Sequence, residues 1–110
     1  MSTPVADVVT RYFTADQRRD VDAIVALFTA DAVVVDEGQT WRGVAAIRSW
    51  QDGPASRYQY TTAVTSTERT GEDTYLVTGR LTGNFPGGTA DLRWRFTVAG
   101  DLIRRLEIAP

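Results

Sequence analysis

The chain has 110 residues, 43% of them apolar, and a formal net charge of −2. That is the size of one domain, residues 1–110, able to bury roughly two-thirds of the surface its unfolded form exposes. It contains no cysteine and no histidine, which excludes disulfides, thiolate chemistry, a Ser-His-Asp triad and most zinc or iron sites, and its charge argues against a general nucleic-acid binder.

The N-terminal stretch MSTPVADVV lacks the charged start and apolar core of a signal peptide. No segment approaches the roughly 20 apolar residues of a membrane helix. The expectation is a soluble, cytoplasmic protein without membrane or nucleic-acid partners.

Val5, Val8, Val9, Tyr12 and Phe13 fall at i, i+3, i+4, i+7 and i+8, one face of a helix. Thr3 can cap it and Pro4 suits its first position. A polar stretch over residues 16–20 follows. Asp20 then caps a second helix, with Val21, Ile24, Val25 and Phe28 again at helical spacing. Residues 32–36, AVVVD, read as a strand that ends in a carboxylate, Asp36, before a turn at Glu37-Gly38. Gly43 opens a third helix, with Val44, Ile47 and Trp50 on one side, and Asp52-Gly53-Pro54 breaks it.

After that break the apolar period switches from helical to two. Residues 57–69 alternate loosely and are rich in Thr and Tyr, as exposed strands are. A turn at residues 70–73 leads to a strand over 74–82. A Pro-Gly-Gly loop follows, then a strand over 90–98 with Leu92, Trp94, Phe96 and Val98 on one face. Ala99-Gly100 turns the chain into a last strand over 101–109. The order α-α-β-α-β-β-β-β, with a meander in the second half, is the α+β class. It predicts an antiparallel sheet with one face covered by the three helices of the N-terminal half.

The stretches VTRYF (9–13), DVDAIVALF (20–28), DAVVVD (31–36) and RGVAAIR (42–48) carry a resemblance. They are similar to the nuclear transport factor 2-like superfamily, closest to SnoaL-like polyketide cyclases and ketosteroid isomerases. The resemblance implies a cone: a curved sheet wrapped around the helices, leaving a hydrophobic pocket. It also implies a hydrophobic small-molecule ligand, no cofactor, and a homodimer formed through the outer sheet face. In ketosteroid isomerases a tyrosine on the first helix donates to the developing oxyanion, and an aspartate after the first strand moves the proton. Tyr12 and Asp36 match those positions and are the catalytic candidates. The chemistry is coherent, because a carboxylate base needs a C–H held above it and the resulting enolate needs a nearby donor. The family's third group, a protonated aspartate, falls on Leu92. Asp91 lies one residue away, and on a strand that is the opposite face.

The same residues admit plainer roles. Tyr12 can pack and hydrogen-bond within the core, and Asp36 can be a turn residue, with Glu37 its solvated neighbour. A two-residue turn at Ala99-Gly100 would set Trp94 opposite Arg105 and Leu92 opposite Glu107 on the inner face, whereas a three-residue turn would send Arg104 inward. Under the first register Arg105 and Glu107 join Phe28, Trp50 and Trp94 as substrate-binding candidates, or Arg105 merely stacks on the Trp94 ring. Trp41, Tyr58, Tyr60 and Phe85 are further possible cavity liners. Arg80, Arg93 and Arg95 belong to the outer face. Three functions fit: acid–base chemistry such as cyclisation, isomerisation or dehydration on a hydrophobic carbonyl compound; non-catalytic ligand binding or dimerisation; and epoxide hydrolysis by Asp36 with Arg105 and Glu107.

Overall fold

A computed structural model describes residues 7–53, 55 and 57–110. The expected roles of Thr3, Pro4 and Val5, and the break at Pro54, lie outside them. The elements in chain order are α1 (Asp7–Gln17), α2 (Val21–Val25), β1 (Phe28–Asp36), β2 (Gln39–Arg42), α3 (Val44–Asp52), β3 (Tyr60–Arg69), β4 (Thr74–Gly83), β5 (Thr89–Ala99) and β6 (Leu102–Ala109). The six strands form one curved, unclosed sheet in the order β2-β1-β6-β5-β4-β3, with the helices against its inner face. This is the α+β arrangement of the cone fold.

Three details differ from the sequence reading. The second helix ends at Val25, and Phe28 already belongs to β1. β2 is a short edge strand that the sequence does not announce, since Gln-Thr-Trp-Arg has no apolar alternation. It pairs with β1 through the register Asp36↔Gln39, so Glu37-Gly38 is a two-residue hairpin turn. Both turn residues have positive φ, 52° and 76°, as the right-handed twist of a tight hairpin demands. Finally, the sheet is mixed, because β1 runs parallel to β6 while every other pair is antiparallel.

The core follows from period two on the strands and the apolar stripes of the helices. Ala32 and Val34 on β1, Val77 on β4, Trp94 and Phe96 on β5 and Ile103 and Leu106 on β6 are all buried. They meet Val8, Val9 and Tyr12 of α1, Ile24 of α2 and Ile47 and Trp50 of α3. Asp20 caps α2 by accepting the Ala23 amide at 3.1 Å. No helix among the described residues is long and apolar enough to cross a membrane.

Gly79 on β4 is buried where β3 and the Trp94 ring come close to its backbone. A Cβ there would stand 2.8 Å from the Ala63 carbonyl oxygen and 3.2 Å from the Trp94 ring. The backbone contact cannot yield as a flexible side chain could. Gly79→Ala is therefore expected to lower stability by about 1–3 kcal/mol, as overpacking does. Urea denaturation would show it as a lower midpoint with an unchanged slope.

Candidate active site

Three elements converge on the open end of the cone. On α1, Tyr12 and Asp16 are one helical turn apart and share the buried face. On β1, the alternation that buries Ala32 and Val34 brings Asp36 to the same inner face. On α3, Trp50 faces β1, and its indole N–H donates to Asp36 Oδ2 at 3.0 Å. These side chains line a cavity of about 630 Å³, within the range of small-molecule sites. Leu81, Ala90, Leu92, Trp94 and Ile108 form its apolar sheet wall, and the rim includes Glu37, Arg57, Tyr58 and Pro86, all exposed.

The Tyr12 ring is fixed by edge-to-face contacts with Phe13, Phe28 and Phe96, at centroid distances of 5.3, 6.3 and 5.5 Å. Such contacts hold a ring in one orientation beyond what area burial alone would do. Burial pushes the Tyr12 hydroxyl well above its ordinary pKa, and the negative potential of Asp16, Tyr60 and Asp36 adds to the rise. Tyr12 thus stays protonated, a donor across the neutral range.

Both cavity carboxyls are shifted upward. Burial raises the Asp36 pKa and Glu37 adds to the rise, while the Trp50 N–H and the Glu37 backbone amide oppose it. Burial likewise raises Asp16, against the pull of Arg19 and the Tyr60 hydrogen bond. A carboxylate with a raised pKa is the stronger base, and it sits where water competes poorly for its lone pairs.

Asp16 was not a sequence candidate. It belongs to the polar run after the apolar stripe, yet its position four residues after Tyr12 continues that stripe, which was the available signal. Only 6% of it is exposed. Arg19, in a left-handed conformation at φ 53°, returns its guanidinium to Asp16 Oδ1 at 3.1 Å. Tyr60, the first residue of β3, donates its hydroxyl to Asp16 Oδ2 at 3.3 Å. Gln51, also in the cavity lining, is fully buried, and its side-chain nitrogen and oxygen have no partner among the described residues.

Of the sequence candidates, Tyr12, Asp36, Trp50, Trp94, Tyr58, Tyr60 and Phe85 line the cavity. Phe28 does not: it is core, packed on the Tyr12 ring. Trp41 packs half-buried against the core from β2. Arg105 and Glu107 are also outside the site. The last hairpin turns at Gly100-Asp101, with Ala99 opposite Leu102 and Val98 opposite Ile103, and a bulge follows. Arg105 then faces Thr97 and Glu107 faces Arg95, on the outer side of the sheet, while Ile103, Leu106 and Ile108 turn inward. The bulge absorbs Arg104, which is exposed as well. The epoxide-hydrolase constellation of Asp36, Arg105 and Glu107 therefore does not assemble. Asp91 is on the outer face, bound to Arg80 at 2.8 Å, and Leu92 occupies the wall where a third acid would stand. Among the described residues no group of three or more Asp or Glu side chains could hold a metal ion.

Residues 9–106 match the model of the SnoaL-like domain. No curated protein matches the sequence. Among solved structures, a protein of Sinorhizobium meliloti described as a candidate polyketide cyclase is 37% identical, with a TM-score of 0.89 over 96% of this chain and 95% of that one. A ketosteroid isomerase-like protein of Catenulispora acidiphila, solved with trimethylamine, is 21% identical, with a TM-score of 0.84 over 99% and 87%. Rv0760c of Mycobacterium tuberculosis, solved with estradiol-17beta-hemisuccinate, is 17% identical, with a TM-score of 0.81 over 99% and 95%.

The carboxyl shifts have a measurable sign. A native pKa above the unfolded value means that the folded protein binds the proton more readily. The stabilisation from Asp16 and Asp36 is therefore full below the unfolded value of about 3.9 and is lost as pH rises through the native values. Carbon-detected NMR titration should place both carboxyls above 3.8, the ordinary value. Trp50→Phe, which deletes the N–H donor, should move Asp36 further upward and leave Asp16 where it was.

Proposed function

The chain belongs to the SnoaL-like domain family, and from that footing we propose that it performs acid–base chemistry without a cofactor on a hydrophobic carbonyl compound. Asp36 removes a proton from the carbon next to the carbonyl, and Tyr12 donates a hydrogen bond to the oxygen as negative charge develops there. The observation that supports this most is a single one. A partly desolvated carboxylate, aimed by the Trp50 N–H, shares one cavity with a buried, rigidly held tyrosine. Returning the proton to a different carbon gives isomerisation, adding the enolate carbon to a second carbonyl gives cyclisation, and expelling a β-hydroxyl gives dehydration. The first step is common to all three.

That shared step can be measured before the product is known. In D2O, the protein should accelerate deuterium exchange next to the carbonyl of aryl ketones and 1,3-diketones that fit the cavity. Asp36→Asn should reduce the acceleration by about 10²–10⁴, the usual contribution of a positioned base. Tyr12→Phe should reduce it by about 10²–10³, as loss of one oxyanion donor does. Exchange by Asp36→Asn as fast as by the unmodified protein would sink the assignment of the base.

A homodimer through the outer sheet face is part of the same proposal. That face carries Arg80, Arg93 and Arg95 together with Asp91 and Glu107, and a surface bearing both signs can meet its own copy across a two-fold axis. Sedimentation should give twice the monomer mass, and reversing the charge of both Arg93 and Arg95 should return the monomer.

A further inference from the structure

The Asp16–Tyr60 side of the cavity has a hydrogen-bond polarity that the proton-transfer reading does not use. Both oxygens of Asp16 accept: Oδ1 from Arg19 at 3.1 Å and Oδ2 from the Tyr60 hydroxyl at 3.3 Å. With donors on both oxygens, the group acts as an acceptor on each. Tyr60 has a single hydroxyl hydrogen, and Asp16 takes it. The lone pairs are all that the Tyr60 oxygen has left to offer a ligand. Tyr12 differs. Its hydroxyl is committed to no hydrogen bond among the described residues and remains a donor. The two phenols line the same cavity, near enough for each to feel the charge of Asp16 and of Asp36.

We propose that Tyr12 and Tyr60 together read a carbonyl with a hydroxyl close by, so that the ligand class is β-hydroxy ketones and enolised 1,3-diketones rather than simple ketones. Tyr12 donates to the carbonyl oxygen. Tyr60 accepts from the ligand O–H. Asp16 is a positioning residue: by holding the Tyr60 hydrogen it fixes which way that hydroxyl points. The proposal rests on the reading that Tyr12 engages a carbonyl, and it adds the second contact and the residue that sets its direction.

Binding of three probes separates the possibilities: β-hydroxypropiophenone, its O-methyl ether and propiophenone, followed by tryptophan fluorescence at neutral pH, since Trp50 and Trp94 line the cavity. The hydroxy ketone should bind about 10-fold more tightly than the other two, as one added hydrogen bond allows. Tyr60→Phe removes only the hydroxyl and should level the three affinities. Asp16→Asn should invert the order in favour of the methyl ether, because the new amide N–H donates to Tyr60 and frees the phenol hydrogen for the cavity. A merely structural role for Asp16 would weaken all three probes without inverting them. Asp36→Asn should keep the preference, so failure of Asp36 as the base is distinguishable from failure of this contact. Equal or undetectable binding of the three ketones by the unmodified protein overturns the proposal, as does a preference that survives in Tyr60→Phe.

Discussion

The hydrogen bond from the Trp50 indole to Asp36 is the interaction on which the site depends. A carboxylate withdrawn from water is costly unless its lone pairs are met. Trp50 meets one of them with a donor that carries no charge and cannot itself titrate. A cation in its place would have pulled the Asp36 pKa down and made it a weak base. An indole N–H satisfies the oxygen while leaving burial as the larger influence, so the pKa stays raised. The same bond ties α3 to the end of β1.

The two carboxyls show how one cavity gives like groups different work. Asp16 has a guanidinium and a phenol on its oxygens and is held in place. Asp36 has one neutral donor from a side chain and its other oxygen free of any side-chain hydrogen bond among the described residues. Tyr12 likewise combines a packed ring with a polar tip. Three aromatic rings hold its own ring, and the residue lines the cavity.

Most of the architecture was legible in the sequence because it rests on periodicity. The stripe ending in Tyr12, the valine run ending in Asp36 and the alternation through Trp94 each follow from one local pattern. What was not legible depends on pairing. β2 forms because β1 offers an edge, and its own four residues show no strand pattern. The last hairpin turned one residue later than Ala99-Gly100 suggested, and a bulge then shifted Arg105 and Glu107 to the outer face. A slip of one residue is all that separates a cavity residue from an exposed one on a strand. Asp16 was hidden for a different reason: its buried position follows helical spacing, but its charge made it look like part of the polar run that ends the helix.

The parallel pairing of β1 with β6 has a kinetic consequence. Val34 faces Leu106 and Asp36 faces Ile108 in that register, so the strand carrying the carboxylate is completed by the strand made last in the domain. Contacts of such sequence separation form only after a large loop-closure entropy has been met, and they slow folding relative to local ones. The rise in the Asp36 pKa comes from burial, so a chain in which Asp36 is still in water binds its proton with ordinary affinity. The β3–β5 meander rests on contacts between neighbouring strands, whereas the strand that carries Asp36 pairs with the last one. The titration of Asp36 is thus a reporter of completed folding, one that secondary-structure content would not supply.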